Sequence, residues 1–106
     1  MTLGELIIVL RKESPSKVVK LGFNNPNSYR GYYDQLAFEL ARKVSVSSML
    51  RCAEESLGKV FEGYKGGDFK MDEWTEVWLA AYGSCGDQLS GLLLEYMLKD
   101  EVKEGH

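Results

Sequence analysis

The sequence predicts an α+β domain, a small and largely antiparallel sheet with two helices on one face. Three observations predict it. Two segments carry apolar residues at helical spacing, several others alternate or are rich in β-branched and aromatic residues, and clusters of turn formers separate them. The length, 106 residues, suits one domain spanning 1–106, with 98–106 as a loose tail.

Residues 2–13 read as a helix. Thr2 and Glu5 have capping-box spacing, and Leu3, Leu6, Ile7 and Leu10 form one apolar stripe. Ser14-Pro15 stops it, because the residue before proline is pushed out of the helical region. Lys17 to Phe23 alternates as a strand does, and a loop dense in turn formers follows from Asn24 to Gly31. Tyr32 to Ala41 is a second strand, with Leu36, Phe38 and Leu40 alternating against Ala37 and Glu39. Ser45 or Ser47 caps a second helix that runs to about Leu57, with Gly58 as its C-terminal cap.

Val60–Tyr64 and Phe69–Met71 read as short strands around a Lys65-Gly66-Gly67 turn, and Thr75–Tyr82 as a further strand. Trp74 and Trp78 are four apart, so in a strand they would share a face, as core or interface rather than a ligand cage. Gly83 to Asp87 is a turn. Residues 87–98 fit two periods: Leu89, Leu92, Leu93, Tyr96 and Met97 suit a helix, while Leu92, Leu94, Tyr96 and Leu98 suit a strand, which is the reading preferred.

Composition narrows the function. A net charge of −3 argues against binding a nucleic-acid backbone, which needs a basic face to displace counterions. The apolar runs are too short to span a bilayer, and the first twelve residues have no basic start and no small-residue cleavage site, so neither a membrane partner nor a signal peptide is expected. The single histidine, His106, is terminal, which weakens the case for imidazole acid–base chemistry and for most transition metals. Cys52 and Cys85 are expected as reduced thiols in the cytoplasm. Ser84 and Cys85 have no base to activate them, and the acidic run Asp68, Asp72, Glu73 and Glu76 reads as a solvated edge. No cofactor and no catalytic residue is expected, and the chain is read as a non-enzyme.

A ligand site is expected in two glycine-bearing stretches. In the first, Ser28, Tyr29, Arg30, Gly31 and Tyr32 combine flat aromatic faces, a guanidinium fork and a backbone that can approach a ligand closely. In the second, Tyr64, Lys65, Gly66 and Gly67 resemble a small anion-binding turn without the spacing of a phosphate-binding P-loop. Both have plainer readings, an Arg30–Asp34 pair beneath a tyrosine-covered turn and a glycine hairpin that needs positive φ.

Taken together, Ser28-Tyr29-Arg30-Gly31-Tyr32-Tyr33, Leu36-Ala37-Phe38-Glu39, Val46 to Leu50, Phe61-Glu62-Gly63-Tyr64-Lys65-Gly66-Gly67 and Phe69-Lys70-Met71 resemble segments of small proteins encoded by tailed bacteriophages. The resemblance covers residues 17–86. It brings no biochemical activity with it, and here the proline expected after Glu39 is missing and the C-terminal segment is richer in leucine. What it implies is a setting. Small phage proteins without catalytic machinery often inhibit host defences, by sequestering nucleotide second messengers or by plugging a nuclease or effector complex. The expected function is therefore a counter-defence protein in the host cytoplasm that binds and sequesters a small (cyclic) nucleotide signal. The alternative is an anti-CRISPR-like inhibitor that binds a host defence protein. A homo-oligomer is expected under either, because a small sheet gains core by pairing.

Overall fold

The computed structural model describes residues 1–28, 36–62, 68–81 and 85–102, and among them three helices and six strands build an α+β domain. Helix α1 spans Leu3–Lys12. Its capping box is present: the Glu5 N–H donates to Thr2 Oγ1 at 3.2 Å, and the Thr2 N–H donates to Glu5 Oε1 at 2.9 Å. That backbone bond, helped by the Thr2 hydroxyl, holds the Glu5 carboxyl below its usual range. The apolar stripe Leu3, Leu6, Ile7 and Leu10 is buried, as the spacing requires.

Strand β1, Val18–Ser28, runs well past the expected end at Phe23. The turn formers Asn24 to Ser28 stay in the strand because β2, Leu36–Ser45, pairs antiparallel with them. A bulge between Asn24 and Pro26 accommodates the proline, with Asn25 at φ 46°. Asparagine tolerates that left-handed conformation, and an edge strand tolerates proline. Strand β2 also continues beyond Ala41, as far as Ser45.

The Ser45 hydroxyl accepts from the Ser48 N–H and starts helix α2, Val46–Ser56. Gly58, at φ +81°, follows it and gives its N–H to the Met71 carbonyl. Strands β3, Val60–Glu62, and β4, Asp68–Lys70, form the separate hairpin expected there.

Strand β5, Val77–Ala81, lies parallel to β2 and antiparallel to β6, Cys85–Gln88, giving a sheet order of β1-β2-β5-β6. Two expectations are corrected here. Residues 85–87 belong to β6 rather than to a turn, because they pair with β5. Trp74 does not share a strand face with Trp78. It sits in a turn fixed by the Asp72 side chain, which accepts the Trp74 N–H at 2.8 Å, and it is 75% exposed.

The preferred strand after residue 87 is a helix instead, α3, Gly91–Lys99. The Ser90 hydroxyl caps it by accepting the Leu93 N–H, and Leu94, Met97 and Leu98 are buried at the i, i+3, i+4 spacing of one face. The supposed loose tail is held through Val102: Lys20 donates to the Asp100 carbonyl, and Val102 donates to that of Val18.

Most of the buried apolar residues join in one cluster, with Phe23 and Phe38 at its largest packed pair, ring centroids 4.5 Å apart. Adjacent positions of β1 meet different helices. An added Cβ on Gly22 would meet Met49 of α2, while Leu21 lines a groove with residues of α3.

Candidate functional site

The groove lies on the face of the sheet that α3 covers incompletely. Leu21 of β1, Leu40 of β2 and Leu79 of β5 form its floor, and Leu93, Tyr96 and Met97 of α3 form one wall, with Asp100 at the end. Its volume is about 270 Å³. That is just under the roughly 300 Å³ at which small-molecule sites begin, room for one ring system. Leu21 and Leu40 are 41% and 47% exposed, and Tyr96 is 73% exposed, so apolar surface faces water where core would be expected.

Helix geometry explains the opening. With Leu94, Met97 and Leu98 turned inward, Leu93 lies at the margin of the buried face and Leu92 and Tyr96 fall outside it. The lining is apolar except for the Tyr96 phenol and the Asp100 carboxylate. Asp100 Oδ1 is 3.4 Å from Lys20 Nζ, an exposed pair that contributes little to stability. Next to the groove, and sharing Leu21 with it, is an open hollow lined by Lys20, Arg42, Lys43 and Val102. Arg42 is the cross-strand partner of Leu21, which places a guanidinium beside the groove.

Other chemistry is poorly provided for. Burial pushes the Cys52 thiol up, with Glu55 adding to the shift, so it is a weak nucleophile at neutral pH. Among the described residues no three His, Cys, Asp or Glu side chains gather as metal ligands, and no helix is long and apolar enough to cross a membrane.

Of the residues expected to bind ligand, Ser28 ends β1 opposite Leu36, while Tyr29, Arg30, Gly31, Tyr32, Tyr64, Lys65, Gly66 and Gly67 lie outside the described residues. The flanking strands fix what those stretches connect: 29–35 joins β1 to β2, and 63–67 joins β3 to β4 in the other sheet. The groove itself was missed in the sequence. Its one signal was the helical spacing of Leu89, Leu92, Leu93, Tyr96 and Met97, set aside there in favour of a strand. Nothing in the period of β2 showed that Leu40 would be left half covered. No protein-family model, curated protein or solved structure matches the chain.

Proposed function

We propose that the protein is a non-enzymatic binding protein that captures a small nucleotide, with the base held in the groove between α3 and the sheet. One observation carries the reading: an apolar groove of about 270 Å³ whose exposed wall is a tyrosine and whose rim is charged. A base needs an aromatic or aliphatic face to stack on and a few polar groups at its edge, and Tyr96, Leu21, Leu40 and Asp100 are of those types. The resemblance to phage proteins supplies the setting, in which capture removes a nucleotide signal from a host defence.

The test is native mass spectrometry and calorimetry of the intact protein with linear and cyclic nucleotides, which also reports the oligomer. A stoichiometric adduct released unchanged on denaturation is expected, and Tyr96→Ala is expected to weaken it about tenfold, the worth of one stacked base. If Arg30→Ala abolishes the adduct while Tyr96→Ala leaves it intact, the ligand belongs to the 29–35 connection and the groove assignment falls. A protein–protein inhibitor is the second reading, favoured by Leu92 and Trp74, 80% and 75% exposed. Absence of any adduct, with a host nuclease retained by the wild type and lost by Trp74→Ala, establishes it.

A further inference from the structure

Arg42 and Lys43 are neighbours on β2, and regular strand geometry would send their side chains to opposite faces. They nevertheless line one hollow, together with Lys20. The cause is local. Lys43 has φ 54°, in the left-handed region, and the Lys20–Lys43 step is missing from a ladder whose neighbours Val19–Val44 and Leu21–Arg42 are paired. Asn25 is the other described non-glycine residue at positive φ, and asparagine visits that region readily. Lysine does not. An unfavourable backbone conformation is therefore kept at the residue that brings a further cation to the hollow.

We propose that Lys20, Arg42 and Lys43 form the phosphate subsite of the groove, so that a ligand places its ring against Leu21 and Tyr96 and its phosphate over β1 and β2. The inference rests on the groove reading and adds the ligand's charged half. Three cations gather here in a chain of net charge −3. Lys20 shares Asp100, and among the described residues neither Arg42 nor Lys43 has an acidic partner within ion-pair distance. A guanidinium fork matches two phosphate oxygens, and the two ammonium groups add point charge. Asp100, paired with Lys20 and lining the groove, is placed to accept a ligand hydroxyl.

Calorimetry on the intact protein tests this with adenosine and guanosine, their monophosphates, inorganic pyrophosphate, and vesicles containing an anionic phospholipid. A monophosphate is expected to bind about tenfold more tightly than its nucleoside, a preference that salt weakens and Arg42→Gln erases. Lys43→Gly is expected to reduce phosphate binding about fivefold while leaving Tm unchanged or higher, since glycine accepts positive φ without strain. That pairing separates lost charge from lost fold. Equal binding of nucleoside and monophosphate, or a preference that survives both substitutions, overturns the phosphate subsite and leaves the groove standing. No binding by any soluble probe or by vesicles overturns both. Binding to vesicles alone, lost in Arg42→Gln, upholds the phosphate subsite and overturns the nucleotide reading.

Discussion

Phe38→Ala is expected to cost about 3–5 kcal/mol, a loss matched among the described residues only by truncation of its equally buried partner Phe23. Phe38 is fully buried on β2, a strand with β1 on one side and β5 on the other. Its ring meets that of Phe23 at 4.5 Å and 43°, a tilted aromatic pair that adds to the area each ring removes from water. Truncation leaves a void on the buried face of the sheet, which the paired strands cannot shift to fill without breaking their ladder. Domains of this size have roughly 5–15 kcal/mol in hand, so the variant stands near the edge of folding. Urea denaturation followed by tryptophan fluorescence should show a much lower midpoint at an unchanged slope. A loss below about 1 kcal/mol would mean that the ring is not part of a close-packed core.

Filling Gly22 is the second large effect and has the opposite origin. An added Cβ would come within 2.8 Å of Met49 Sδ, 3.0 Å of Val44 Cβ and 3.2 Å of Val19 Cγ2. The methionine can swing aside, but the two valines are β-branched and stiff at χ1. Gly22→Ala should therefore cost about 1–3 kcal/mol, and Gly22→Val more, by pushing α2 away from β1. The contact with Met49 makes the effect testable in pairs. Combining Gly22→Ala with Met49→Ala should recover part of the sum of the two losses in a double-mutant cycle. Strict additivity would show that the two sites do not touch.

How far the sequence disclosed this structure depended on whether the deciding interaction was local. The capping box of Thr2 and Glu5 and the stripe from Leu3 to Leu10 lie within a few turns of chain, and α1 follows from them. Ser45 and Gly58 bracket α2 for the same reason. The α+β class came from these periods. Asn24 to Ser28 reads as a loop by composition, yet a partner strand and one bulge keep it extended. Residues 85–87 look like part of a turn until β5 is beside them. In α3, the Ser90 cap and the inward row Leu94, Met97 and Leu98 outweigh a strand period that the same leucines also satisfy. The groove is legible least of all, because it depends on how completely a helix covers a sheet face. Lys43 is similarly silent, since nothing in its neighbours announces a left-handed backbone.

The parallel pairing of β2 with β5 bears on how long the folded state lasts. Strands β1 and β2 meet across a short connection, but Leu36 and Val77 meet only after about forty intervening residues, α2 and the β3–β4 hairpin included, have been gathered in. Closing that span carries a larger entropic cost than closing the hairpin, so this seam is expected to form after the folding barrier has been crossed. Interactions made that late act on the rate of unfolding rather than on the rate of folding. Stopped-flow kinetics of Val77→Ala should show faster unfolding with folding almost unchanged, whereas slowed folding would place the seam in the nucleus. The three residue pairs of that seam would then act as a clock for the native state, setting its lifetime more than its speed of assembly.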